Sequence, residues 1–541
     1  MGIFANPLTD LLEYEDFSRD FLKGTDPVGM TGCIDSEKVH FMSTFLGEKK
    51  VQLVVTYNEQ RAREIEEDYK LFCSQVYVIP PRDLIFFSAD LQGNAIIAER
   101  MKAFAALYQN EAKVIITTMD ALMSEAVPFE QLMSHVIKLK EGDELDLEKL
   151  KHDLTVMGYE RVGRVEEPGQ FTVHGGIADV YPLTMEVPVR IELWGDEIDT
   201  IRCFEPQSQR SMDQIESVSV FPAAEVIADD TARRRAVGMI KNELESQLAV
   251  FKKAKEPDKA KRLREETNRI LEALGEDVVL EAPDSYISYF YPRTVQLSEY
   301  FDEKNTLVFL DEPMRLKERG DGVQAEFEES MKNRLEQGFL LPGQTALLTP
   351  AKHVLAAFER GQVAALSSLD SRLADFTVVN SYAVNVQNMN TYREGFELLI
   401  KDLTHWKKEK YRIVLLCPSR TRANRIVNQL IEYDLLAYYS EDEDKKINPG
   451  EIMVTYGNLH RGFLYPMLKF AVITESDIFG VKKKKKEKKS HYQGQRISDF
   501  AQLKPGDYVV HENYGLGIYR GTERQIVDKV TKDYIKIEYG D

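Results

Sequence analysis

VQLVVTYNEQRAREIEEDYKLFCSQVYVI, residues 51–79, holds two apolar runs of strand length, Val51-Gln-Leu-Val-Val55 and Val76-Tyr-Val-Ile79. Between them the charged segment from Arg61 to Phe72 carries its apolar residues at helical spacing. Strand, amphipathic helix and strand in that order build a mostly parallel sheet, so the fold class is α/β. Working outward, Val114-Ile-Ile-Thr-Thr118 continues the rhythm and Thr306-Leu-Val-Phe-Leu310 returns to it. Residues 1–135 and 216–345 therefore read as two pieces of one α/β domain. The second piece opens on a long charged helical stretch, Thr231 to about Leu274, broken near Glu256-Pro257.

The text between the two pieces is different. Residues 136–215 contain short alternating runs, Gln170-Phe-Thr-Val173, Val189-Arg-Ile-Glu-Leu-Trp194 and Glu197-Ile-Asp-Thr-Ile-Arg202, with Gly195-Asp196 as a hairpin turn. This predicts a strand-rich insertion. Residues 346–480 read as a further α/β domain with strands at Thr377-Val-Val379, Ile413-Val-Leu-Leu416 and Ala471-Val-Ile-Thr474, and a helix from Thr421 to Tyr433. A basic linker, 481–496, follows. Residues 497–541 show strands at Tyr508-Val-Val-His511 and Tyr534-Ile-Lys-Ile-Glu-Tyr539 around Gly515-Leu-Gly517, as in SH3-like or Tudor-like barrels.

Composition bounds the function. At about 150 residues per domain, 541 residues make three or four cores. No apolar run approaches the roughly 20 residues that cross a bilayer. The opening MGIFANPLTDLLEYED lacks a basic start and an apolar stretch with a cleavage site. Cys33, Cys73, Cys203 and Cys417 lie far apart, which suits a reduced cytoplasmic protein and offers no zinc cluster. With 70 Lys and Arg against 89 Asp and Glu, the net charge of −19 opposes a sequence-independent grip on nucleic acid, so any DNA contact is local. The run Lys482 to Lys489, interrupted only by Glu487, is the obvious local exception, and it reads first as a solvated linker.

The motifs are informative by what they lack. Gly29-Met-Thr-Gly32 precedes a helical stretch where a nucleotide-binding protein places its phosphate loop, but Cys33-Ile-Asp-Ser-Glu-Lys38 follows and no GK[ST] occurs. Asp35 and Glu37 would repel an anion there. Leu307-Val-Phe-Leu-Asp311-Glu312 looks like the strand that presents magnesium ligands, yet without a phosphate-binding lysine it has nothing to coordinate towards. Gly29, Gly32, Lys38, Asp311 and Glu312 thus outline a degenerate nucleotide site, and no catalytic or metal-binding set is readable. In the insertion, Arg161, Arg164, His174 and Arg190 stand among Phe171, Tyr181 and Trp194, the composition of a protein-binding hot spot and equally of a small core with a solvated rim.

Three separated stretches carry a resemblance: YERVGRVEEPGQFTVHGGIADVYP at 159–182 with RIELWGDEID, ITESDIFG at Ile473 to Gly480, and GDYVVHENYGLGIYRG at Gly506 to Gly521. Together they resemble the transcription-repair coupling factors, in that family's order. The resemblance implies a RecA-like module similar to the excision-repair protein UvrB, with a degenerate nucleotide site. It implies an inserted domain that docks UvrA through Arg161, Arg164, His174, Asp179, Tyr181 and Arg190, and a terminal domain that takes the RNA polymerase β subunit by strand addition at Tyr534, Ile535 and Ile537. His174 stands where the family has arginine, so its charge near neutral pH is reduced. Residues 346–480 resemble a domain without an implied chemistry.

The family continues into a double-stranded DNA translocase that uses ATP and Mg2+, and the expectation is that this chain is an N-terminal part without that motor. It then needs no cofactor of its own, and any enzymatic activity is left open. The barrel would lack strands, so the final 45 or so residues are expected to fold poorly alone. The competing readings are an active UvrB-like damage-binding helicase or ATPase, and a transcription scaffold unrelated to repair.

Overall fold

The computed structural model describes residues 7–48, 51–82, 94–275, 283–370, 376–392, 395–442, 445–480, 506–511, 515–527 and 530–539. The linker 481–496 with its lysine run lies outside them. The chain divides into a unit of residues 1–480 and a unit of 481–541.

The apolar runs form a seven-stranded sheet in the order Asn380–Ala383, Val28–Thr31, Val363–Ser367, Thr306–Asp311, Val51–Thr56, Val114–Thr118, Val76–Ile79. Every pairing in it is parallel. Its central strands are buried along nearly their whole length, as expected of a sheet covered on both faces. The helix Glu59–Tyr69 starts where the Asn58 side chain accepts the Arg61 N–H, a cap for an otherwise orphan donor. The charged stretch forms two helices, Asp230–Ala254 and Pro257–Gly275, and their facing apolar residues join the core on one side of the sheet.

The structure moves two limits. Val363–Ser367 and Asn380–Ala383 complete the first sheet, so the further α/β domain does not begin at 346. The strand near Thr377 lies instead at Asn380–Ala383, where it pairs with Val28–Thr31. The separate sheet starts at Gln387 and runs Gln387–Asn388, Phe463–Tyr465, Phe470–Thr474, Arg412–Cys417, Ile452–Tyr456, Ala437–Tyr439. Ser217–Val220, expected in the second piece of the first domain, pairs with Ile137–Lys140 at the foot of the insertion. Local patterning shows that a segment is a strand but not which of two neighbouring sheets it joins, because pairing partners lie far away in the chain.

The two α/β layers share a core. Val54, Ile116 and Leu307 belong to one cluster with Met453, Phe470 and Val472, and Val39, Phe41 and Ile65 from the helices Asp35–Ser43 and Glu59–Tyr69 lie in the same cluster. The insertion is a six-stranded sheet, Ser211–Gln214, Glu197–Phe204, Val189–Trp194, Ile177–Val180, Gln170–His174, Glu160–Arg161, with its own core that includes Leu150 and Leu154 of the helix Leu147–Val156.

In the second unit, Tyr508–His511, Gly515–Val527 and Val530–Tyr539 form an antiparallel sheet in that order. Gly515 and Gly517, expected in a turn, open the long central strand. No helix among the described residues is long and apolar enough to cross a membrane.

Candidate functional site

Two places collect the residues singled out in the sequence. The first is the degenerate nucleotide position. Gly29 lies within the strand Val28–Thr31, and Gly32 ends it at φ +83°, where a Cβ would stand 2.0 Å from the Val384 carbonyl oxygen. The glycine is needed for chain packing: Val384 donates its N–H to Thr31 O at 2.8 Å, closing the edge strand onto the sheet. Gly32→Ala is therefore expected to cost about 3 kcal/mol, combining the left-handed backbone penalty with overpacking. A urea titration that finds its midpoint unchanged would refute this.

Lys38 corrects the expectation that Asp311 and Glu312 face nothing. Its Nζ lies 2.7 Å from Asp311 Oδ1 and 2.7 Å from Glu312 Oε1, and the lysine side chain is 3% exposed. Asp311 Oδ2 also accepts from Thr56 Oγ1 at 2.8 Å and Arg61 Nε at 3.3 Å. Glu312 Oε1 accepts from Ser368 N at 2.9 Å and Ser368 Oγ at 2.6 Å. Burial would raise the Asp311 carboxyl, but Lys38 and Arg61 overcome it and hold the group at about 2. Burial would lower Lys38, and Asp311 and Glu312 outweigh that and raise it. The ammonium thus stands against the carboxylates that a metal ion would need.

Glu37 corrects the picture of an acid facing outward. It is fully buried, accepts the Ile34 N–H at 3.1 Å and the Tyr465 hydroxyl at 2.6 Å, and burial pushes it up to about 7. Around it the 459–465 segment of the neighbouring sheet covers the start of the helix Asp35–Ser43. The Arg461 N–H donates to Ser36 Oγ at 2.9 Å and the Arg461 guanidinium lies 3.6 Å from Asp35. Residues 29–38, 311 and 312 therefore do not fit a magnesium nucleotide: the carboxylates are spent on Lys38, and the helix start is covered. Among the described residues no other cluster could hold a metal ion.

The second place is the outer face of the inserted sheet. Cross-strand register aligns Thr172, Asp179, Arg190, Arg202 and Gln214 in one row, and His174, Ile177, Glu192 and Thr200 in the next. Paired residues share a face, so both rows lie opposite the Val173, Ala178, Val189 and Ile191 core side. Arg190 is fixed: its Nε and Nη2 donate to Asp179 at 2.8 and 2.7 Å, and its Cζ stands 4.8 Å from the centre of the Phe204 ring. Arg202 beside it has a buried Nε without a hydrogen-bond partner among the described residues.

His174 is exposed, with Nε2 2.8 Å from Thr172 Oγ1. Arg161 is exposed on the edge strand Glu160–Arg161. Arg164 is exposed in the following loop, paired with Glu166 at 3.2 Å and donating to the Gln207 carbonyl. Tyr181 does not join the displayed set. It is 7% exposed, packs with Val165 and Phe204, and donates its hydroxyl to Glu186 O at 2.6 Å, so it supports Arg190 from beneath. Asp179 is likewise mostly covered and serves to orient Arg190.

Sequence reasoning missed Arg202 and passed over Trp194 as a site residue, although Trp194 is 84% exposed at the hairpin end. Alternation in Glu197 to Arg202 places Arg202 on the same face as Thr200. Its alignment with Arg190 depends on a bulge between Glu192 and Leu193 that the residues do not announce. In the second unit, Val530–Tyr539 is an outer strand of its sheet, and Ile537 pairs with Tyr519. The side chains of Tyr534 and Ile535 lie outside the described residues.

This geometry defines a multidomain α/β protein with a polar, arginine-bearing insertion and a buried Lys38–Asp311–Glu312 cluster. Residues 137–225 match the UvrB interaction domain, residues 405–478 the MFD D3 domain, and residues 503–541 the CarD-like/TRCF RID domain. The chain is 30% identical to the transcription-repair-coupling factor of Bacillus subtilis (strain 168), over 99% of this chain and 45% of that protein. It is 28% identical to that of Staphylococcus epidermidis (strain ATCC 12228), again over 99% and 45%, and 27% identical to that of Staphylococcus aureus (strain Mu50), over 100% and 46%. Along nearly its whole length the chain is similar to transcription-repair-coupling factors, and it spans a little under half the length of these curated relatives.

Proposed function

We propose that this chain links RNA polymerase stalled at DNA lesions to nucleotide excision repair, by docking UvrA on the outer face of the inserted sheet and the polymerase β subunit on its C-terminal sheet. In this reading the seven-stranded parallel sheet is the RecA-like, UvrB-like domain, and residues 506–539 belong to an SH3-like or Tudor-like barrel. The observation that carries the reading is Arg190, locked by Asp179 and Phe204 beside Arg202, within the stretch that matches a UvrB interaction domain. A preorganised arginine suits a partner bearing carboxylates or carbonyl oxygens, at small ordering cost.

Val530–Tyr539 is an outer strand among the described residues, which supports polymerase docking, because such an edge offers backbone hydrogen bonds to an added strand. The chain is read as an adaptor that takes no nucleotide of its own and acts in the cytoplasm, while ATP, Mg2+ and contact with double-stranded DNA through a translocase belong to the family's motor.

Two measurements test this. In a UvrA pull-down, Arg161→Glu and Arg190→Ala are expected to weaken capture, by about 2–5 kcal/mol if the arginine is desolvated in the complex. Capture equal to that of the unaltered chain by both variants sinks the assigned face. Titration with MgATP is expected to show no binding, and micromolar affinity would revive the ATPase reading.

A further inference from the structure

The elbow between the helices Asp230–Ala254 and Pro257–Gly275 concentrates positive charge in an acidic chain. Residues 252–264 hold seven cationic side chains against two acids, whereas the whole chain carries −19. Lys252 and Lys255 from the end of the first helix, and Lys261 and Arg264 from the second, line a cleft of about 430 Å3 whose apolar lining includes Leu248 and Ala260.

Internal partners account for only part of this charge. Lys259 is paired with Glu256 at 2.8 Å, and Arg262 donates to Gln337 O at 2.9 Å while stacking on Phe339 at 4.6 Å. Lys261 has a distant partner, Glu265 at 3.9 Å, with both side chains mostly exposed, a pair of little worth. Lys252, Lys253, Lys255 and Arg264 are exposed, and their side chains have no hydrogen bond or ion pair among the described residues. Like charges held together repel, and a polyanion laid across them relieves the repulsion.

We propose that this elbow is a docking surface for the phosphate backbone of duplex DNA. Cations from the two helices converge on one cleft, so a backbone lying in it meets several at once. The contact is sequence-independent, since lysine and arginine on phosphates position a duplex without reading its bases. It is separate from the lysine run at 482–489, which was the only local DNA contact the sequence suggested. The choice of duplex DNA among polyanions rests on the proposed role beside a DNA-bound polymerase.

The test measures fluorescence anisotropy of a short labelled duplex with the full chain, across about 50–200 mM salt. The charge reversal Lys252→Glu/Lys255→Glu/Arg264→Glu is expected to weaken binding at least about tenfold, and to make the slope of log affinity against log salt shallower by about 3. All three residues are exposed, so its thermal melt is expected to match that of the unaltered chain. A second variant, with the lysines of 482–486 changed to serine, is expected to keep the elbow's salt dependence. Unchanged binding by the triple variant, loss of binding with the second variant alone, or preference for phosphatidylserine vesicles over the duplex each overturns the proposal. The UvrA pull-down separates the two readings: the triple variant is expected to retain UvrA, and Arg161→Glu to retain DNA.

Discussion

Lys38→Met is expected to destabilise the chain by about 3–5 kcal/mol, because it leaves Asp311 and Glu312 in the interior without the cation that offsets their desolvation. Arg61, 3.3 Å from Asp311, softens the loss for one carboxylate, and Ser368 does so for the other. The double variant Lys38→Met/Asp311→Asn is expected to recover part of the stability, since removing both members of a buried pair costs less than removing one. Urea denaturation followed by circular dichroism measures both. A single variant as stable as the unaltered chain would mean that the cluster is solvated, and the structural account of residues 29–38 would fall with it.

Acidification is expected to tighten the junction between the two α/β layers. Glu37 moves from its ordinary 4.5 to about 7, and Asp68, whose Oδ1 accepts the His460 N–H at 2.5 Å, moves from 3.8 to about 7; burial is the leading cause in both. Because both acids are raised in the fold, their stabilisation is fully present below about pH 4 and is lost as pH climbs through 7. Asp311 acts in the opposite sense, but held at about 2 it matters only below its ordinary value of 3.8.

Between pH 4.5 and 7 the net expectation is therefore falling stability, worth about 3 kcal/mol for Glu37 alone. Lys38, Cys33, Tyr465 and His40 face the same acid cluster, and Arg61, Glu64 and His460 surround Asp68. A variant is needed to isolate one acid from these neighbours. Glu37→Gln keeps the shape and cannot ionise, so its stability should vary less with pH and exceed that of the unaltered chain at pH 8. Superimposable stability profiles for the two proteins would rule the effect out.

Much of the framework was legible in the chain. The runs at 51–55, 76–79, 114–118 and 306–310 are strands of one parallel sheet, and Glu256-Pro257 separates two helices. These features survive because period, length and punctuation are local properties. The site was less legible. The residues leave Tyr181 equally a docking aromatic or a core one, and it lies inside a small cluster, because ring burial depends on Val165 and Phe204 arriving from other segments. Lys38 reads as a residue that lost its phosphate, while its partners lie about 270 positions later.

Amino-acid order by itself determined the α/β class, the strand-rich insertion, the absence of a GK[ST] motif and the resemblance to transcription-repair coupling factors. The tertiary structure alone decided which sheet claims Val363–Ser367, which carboxylates Lys38 meets, and which residue stands beside Arg190. The reason is physical. Hydrophobic periodicity acts over a few residues, whereas a buried charge is stable only where distant segments bring its counter-charge, and one extra residue in a bulge changes every neighbour beyond it.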